Sequence, residues 1–125
     1  EGELLLTTLD AQIGELYWAL YRIEAGVVTP VLSARVCKPQ DCQVPGDGPL
    51  VALGSGLVHA EVLPEALRAR ILRRQPALLA RARDLLPAAV AALERGNIQV
   101  ADAVRPVYVR DEISWKKLSE QGKSI

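Results

Sequence analysis

Three apolar runs of strand length, separated by two turn signals, decide what the opening of this chain can become. Leu4-Leu5-Leu6-Thr7-Thr8-Leu9 leads into a segment bracketed by Asp10 and Gly14. Leu16-Tyr17-Trp18-Ala19-Leu20-Tyr21-Arg22-Ile23 follows, and Glu24-Ala25-Gly26 separates it from a third run over 27–36. Aromatic and β-branched side chains suit a pleated, half-buried surface, while Asp and Gly supply the backbone geometry that reverses a chain within a few residues. The pattern predicts a three-stranded antiparallel meander. Pro30 lies near the start of the third run, where a missing N–H is tolerated.

Beyond the meander, Lys38-Pro39-Gln40-Asp41 predicts a single helical turn, because Pro fits where helical amides have no partner. The breaker Val44-Pro45-Gly46-Asp47-Gly48-Pro49 ends it. Leu50-Val51-Ala52-Leu53 then reads as a short buried strand leading into a glycine turn at Gly54-Ser55-Gly56. Over 57–72, Val58, Val62, Leu63, Leu67 and Ile71 recur near helical spacing, with Arg68, Arg70, Arg73 and Arg74 on the other side and Pro64 as a point of division. A second helix is expected from Asp84 as cap to Gly96 as stop, with Pro87 in its first turn. Its Leu86, Ala89, Val90 and Leu93 would share one face and cover the sheet. Pro106 precedes Val107-Tyr108-Val109, expected as a final strand.

The 125 residues, half of them hydrophobic, suffice for one domain removing roughly two-thirds of its unfolded surface from water. Fifteen basic and fifteen acidic side chains balance to zero formal charge, so no overall field draws in phosphate backbones or anionic membranes. No run approaches the roughly 18 apolar residues of a membrane span, and the opening Glu-Gly-Glu lacks the basic start of a signal peptide. A soluble protein is expected. The sequence has no Met, and a piece of a longer protein is therefore expected. Cys37 and Cys42 flank Lys-Pro-Gln-Asp, a spacing outside the usual zinc pairs and without a second pair to complete four ligands. They read as structural thiols, with a disulfide as the alternative, and a reducing cytosol favours the thiols.

Few materials for catalysis are present. His59 is the sole histidine, so neither a Ser-His-Asp relay nor a two-histidine metal site is expected from this chain without a partner, and His59 reads as structural or merely exposed. Asp10 and Glu15, across a short turn, could act as paired carboxylates, but turn chemistry explains Asp10 equally well. Gly54-Ser55-Gly56 could offer backbone amides to a phosphate or ribose. It lacks the Lys and Ser/Thr of a P-loop and the third Gly of a dinucleotide fingerprint, and a plain tight turn is the alternative. The arginines from Arg68 to Arg74, with Arg81 and Arg83, form the one basic concentration, either a solvated face or a contact for RNA or an acidic partner.

With these motifs in view, Leu9-Asp10-Ala11-Gln12-Ile13-Gly14-Glu15-Leu16-Tyr17-Trp18 resembles the Asp-Ala-Arg-x-Gly-Glu-Val-Tyr-Trp hairpin of the TsaB (YeaZ) family. Pro106-Val107-Tyr108-Val109-Arg110 and Trp115-Lys116-Lys117-Leu118 resemble that family's ending. Gly54-Ser55-Gly56 and Asp84-Leu85-Leu86-Pro87 fall where the family has a glycine turn and its last long helix. Gln12 stands where the family usually has Arg, and Ser119 replaces a frequent Pro. The resemblance implies an α/β fold, one lobe of the actin, Hsp70 and sugar-kinase (ribonuclease H-like) kind: an antiparallel three-stranded meander plus further strands, with helices packed on the sheet. Residues 1–125 would be a single carboxyl-terminal lobe of a protein about twice as long, the amino-terminal lobe lying outside this sequence.

The same resemblance implies a cytoplasmic, non-catalytic scaffold: a partner of a TsaD-like enzyme subunit and a TsaE-like ATPase in threonylcarbamoyladenosine modification of tRNA. It would touch tRNA through the complex and carry no catalytic residue, metal or cofactor of its own. The surface that pairs with TsaD lies mainly on the other lobe in this family, and an apolar face bared by that lobe's removal leaves a homodimer open. The family's older glycoprotease label finds no support in these residues. The alternative is a nucleotide-binding lobe of an actin- or sugar-kinase-like enzyme, with Gly54, Ser55 and Gly56 touching the nucleotide.

Overall fold

The structure is a computed structural model that describes residues 2–110. β1 (Glu3–Asp10), β2 (Leu16–Glu24) and β3 (Val27–Cys37) form the expected antiparallel meander. β4 (Leu50–Leu53) and β5 (Ile71–Gln75) complete a mixed sheet of five strands in the order β3-β2-β1-β4-β5. β4 runs parallel to β1, and β5 runs parallel to β4. The α/β lobe expected from the resemblance is therefore present. Pro39–Asp41 forms the expected single turn, as a 3-10 segment.

Alternation along the strands sorts the side chains between two faces. Leu6 and Thr8 of β1, Leu16, Trp18 and Leu20 of β2, and Leu50 and Ala52 of β4 point to one face and are buried. Leu57, Leu63, Leu67 and Cys42 close over that face and join the same core cluster. Leu6, Leu16 and Leu50 are each 1% exposed, so each contributes about 1.5–3 kcal/mol by leaving water.

The segment after Gly54 departs from the single interrupted helix expected over 57–72. A 3-10 segment (Ser55–Val62) is followed by α1 (Glu65–Arg70), and the chain then enters β5. The period explains which residues are buried. At three residues per turn, positions three apart share a face. Leu57, Ala60 and Leu63 are accordingly buried, while Val58 and Val62, assigned to the inner face by an α-helical period, are exposed. Arg73 and Arg74 stand on a strand rather than a helix. β4 is apolar throughout and flanked by β1 on one side, so its other edge needs a partner, and α1 returns the chain parallel to supply one.

Two further expectations are corrected. Val107 and Tyr108 form no strand; they are 89% and 75% exposed. Pro106 removes a ladder donor just before this short run, and β5 already holds the position beside β4. The second helix, α2 (Leu86–Glu94), begins later than Asp84, which lies in a 3-10 turn (Ala82–Leu85) and makes no capping hydrogen bond to α2. Gly96 does stop it, in a left-handed conformation (φ 71°). Gly96 N–H donates to Leu93 O and Asn97 N–H to Ala92 O, the arrangement that satisfies a helix's last carbonyls. Leu86, Val90 and Leu93 are 61%, 53% and 63% exposed, so α2 does not cover the sheet. An amphipathic pattern fixes which side chains share a face but not what that face meets.

Candidate functional site

β1 and β4 end side by side, and the residues at and just past their carboxyl ends form a polar cluster. The backbone N–H of Asp10 donates to Ser55 Oγ at 3.0 Å. Asp10 Oδ1 accepts from the Gln12 backbone N–H at 3.1 Å and meets His59 Nε2 at 3.1 Å. Thr8 Oγ1 donates to Leu53 O at 2.7 Å, and Gly54 N–H donates to Gln75 O at 3.0 Å, so the glycine turn is fastened to β1 on one side and to β5 on the other.

Ser55, His59 and Asp10 thus lie together, yet not in relay order. The imidazole bonds the carboxylate, while the serine oxygen is taken by a backbone amide of Asp10 rather than by the ring. A nucleophilic relay needs the base on the hydroxyl. Among the described residues no group of three or more His, Cys, Asp or Glu side chains could hold a metal ion.

Gly54 and Gly56 are where they are because β1 leaves no room for a side chain. A Cβ on Gly54 would sit 1.9 Å from Thr8 O, and Gly54 holds φ at 100°. A Cβ on Gly56 would lie 2.5 Å from Thr8 Cβ. Close backbone packing accounts for both glycines.

The turn between β1 and β2 is unusual. Gln12, Ile13 and Gly14 take φ of 62°, 49° and 72°, three left-handed residues in a row. Each of the two with side chains costs roughly 1–2 kcal/mol in that conformation. The turn is braced by Ala11 N–H to Glu15 O (3.0 Å), by Glu15 N–H to Gln12 O (3.2 Å) and by the Asp10 carboxylate. Arg110 supplies a further brace from the far end of the chain. Its Nη2 lies 2.7 Å from Glu15 Oε1, its Nη1 donates to Ala11 O at 3.0 Å, and its guanidinium stands 5.4 Å from the centre of the Tyr17 ring. The guanidinium at this turn is that of Arg110. Asp10 and Glu15 are therefore not a carboxylate pair: one is held by His59, the other by Arg110.

The basic concentration is dispersed and partly neutralised. Arg68 and Arg74 both approach Glu61, at 3.7 and 3.5 Å, and Arg73 pairs with Glu3. Arg70 donates to the carbonyls of Gly48, Val44 and Pro45 and pins the loop before β4. Arg81 and Arg83 are exposed. On the sheet's other face, Thr7, Leu9, Tyr17, Ala19 and Tyr21 line a mostly apolar cleft of about 450 Å³, with Leu78 and Leu79 at its side.

The His59 hydrogen bond, then the Gln12 amide, hold the Asp10 carboxyl below its usual range. A carboxyl depressed in the folded state stabilises the fold above its unfolded pKa of about 3.9, and that stability is lost as pH falls through the lower folded value. Denaturant unfolding of wild type and His59→Ala between pH 6 and pH 2 is expected to show a shallower acid loss in the variant.

No protein-family model matches the chain. The tRNA threonylcarbamoyladenosine biosynthesis protein TsaB of Escherichia coli (strain K12) is 32% identical over 120 residues, covering 91% of this chain and 51% of that protein. Over the half of that protein it spans, the chain is similar to the TsaB (YeaZ) family. YeaZ from Pseudomonas aeruginosa superposes with a TM-score of 0.73 at 30% identity, over 86% of this chain and 50% of the other. A second structure, an uncharacterized protein with similarity to peptidase YEAZ from Pseudomonas aeruginosa, gives 0.75 at 30% identity over 87% and 50%. The chain thus spans about half the length of these TsaB and YeaZ relatives.

The TsaB-like motifs meet in space. Asp10, Glu15 and Tyr17 from the hairpin are joined by Arg110 from the closing motif and by Ser55 and His59 from the glycine turn. Trp115, Lys116, Lys117, Leu118 and Ser119 lie outside the described residues. Sequence reasoning assigned no role to Arg110 and left His59 without a partner. The recurrence of both chain-end motifs in one family was the only signal that they belong together.

Proposed function

We propose that this chain is the carboxyl-terminal lobe of a TsaB-like protein. It acts in threonylcarbamoyladenosine modification of tRNA as a non-catalytic scaffold for a TsaD-like enzyme, together with a TsaE-like ATPase, in the cytoplasm. The observation that carries this is the match to TsaB over 91% of the chain. The site chemistry agrees with support rather than reaction: the Ser55 hydroxyl is not on His59, and each acid at the hairpin turn has its own cationic or amide partner. Assays of the full-length protein for threonylcarbamoyl transfer to tRNA, with and without a TsaD-like enzyme, test the reading. Transfer is expected only with the enzyme, and transfer by the protein alone would overturn it.

A nucleotide-binding lobe is the second reading, with Gly54, Ser55 and Gly56 as the contact. It is favoured by position, since parallel β1 and β4 end beside this turn and open α/β sheets bind ligands at the carboxyl ends of their strands. Isothermal titration with ATP separates the two: saturable heat abolished by Ser55→Trp supports the second, and none supports the scaffold.

A further inference from the structure

Cys37 and Cys42 are absorbed by neither reading. Cys37 is the last residue of β3, opposite Leu16, and Cys42 closes the 3-10 turn that follows, its N–H donating to Pro39 O at 3.2 Å. That turn carries the chain back on itself, so the two thiols share one corner of the core: Cys42 is 1% exposed within the core cluster, and Cys37 is half-buried against it. Both are free thiols. Trp18, 4% exposed, is buried in the same core cluster. Its N–H has no hydrogen-bond partner among the described residues.

We infer that Cys37 and Cys42 are a reversible two-electron redox pair, oxidised to an intramolecular disulfide by a peroxide and restored by a thiol reductant. Cys37 is the entry point because Cys42 is sealed from solvent. The Cys37 sulfur attacks one peroxide oxygen, the O–O bond breaks, and the departing hydroxide takes up a proton to leave as water. Cys37 is then a sulfenic acid. The Cys42 sulfur, giving up its proton, attacks the Cys37 sulfur; the S–O bond breaks, a second water leaves, and the S–S bond forms. In sum, two thiols and one hydrogen peroxide give one disulfide and two waters. With both thiols at one corner of the core, five residues apart, the second step is intramolecular, so the sulfenic acid does not accumulate.

Burial sets the rate. It pushes the Cys42 thiol up to about 12 and raises Cys37 as well. Since the thiolate is the nucleophile, oxidation at neutral pH is slow and quickens about tenfold per pH unit while the thiolate remains the minor form. The pair therefore answers sustained oxidant rather than brief exposure.

The test is hydrogen peroxide treatment of the native protein, followed by thiol titration, intact mass and peptide mapping. The expected result is a fall from two free thiols to none, a mass lower by two hydrogens, a Cys37–Cys42 cross-linked peptide, and full recovery with dithiothreitol. Cys42→Ser should instead trap a Cys37 sulfenic acid that reacts with dimedone, several-fold above wild type. Retention of both thiols in wild type, chain-to-chain disulfides, or dimedone labelling of wild type equal to that of Cys42→Ser would each overturn the inference. Should Cys42→Ser fail to fold, the wild-type mass and peptide map decide the matter alone.

Discussion

Gly54→Ala is expected to destabilise the protein by about 3 kcal/mol or more. Two costs act together. The new Cβ would fall 1.9 Å from Thr8 O, and that oxygen belongs to the backbone of β1, in the middle of the sheet, so the clash cannot be relieved by a rotamer change. Alanine would also have to hold φ near 100°, outside the regions open to a residue with a side chain. Gly96→Ala is the control. Gly96 also has positive φ but nothing within 4 Å of its Cβ position, so only the local strain of about 1 kcal/mol remains. Urea unfolding of both variants checks the contrast, and equal losses would mean that the turn does not pack on β1 as described.

Leu6→Ala is expected to cost about 2–5 kcal/mol. Leu6 is 1% exposed on the central strand and packs into the cluster formed with Trp18, Leu57 and Leu63, so its removal leaves a cavity whose walls are held by strands on both sides. Leu93→Ala on α2, where the side chain is 63% exposed, should stay within about 0.5 kcal/mol. Thermal or denaturant unfolding of this pair measures directly whether α2 shares the core. A large loss at Leu93 would restore the arrangement in which α2 covers the sheet.

The parts legible in the sequence were those whose signals are local. Alternation and turn residues fixed the meander, an all-apolar quartet fixed β4, and Pro39 and Gly96 marked a helical turn and a helix end. The parts that escaped depend on distant partners. Leu72-Arg73-Arg74 carries no strand signal, and it pairs because β4 needs a neighbour. Val107-Tyr108 has strand propensity and no pairing partner among the described residues. At the site, Asp10 was recognisable as a turn residue, because an Asx contact spans two positions. Its bond to His59 spans 49 positions, and that of Arg110 to Ala11 spans 99. No periodicity reports contacts of that length.

The strand order also dictates a sequence of events during folding. β1, β2 and β3 can zip together through short reversals, whereas β1 gains its other neighbour only after the intervening chain has closed a loop to bring β4 alongside. Until that moment the central strand of the finished sheet is an open edge, lined by leucines and free to pair with another chain. Conditions that delay loop closure should therefore divert nascent molecules into aggregates at that strand, even when the mature protein is stable.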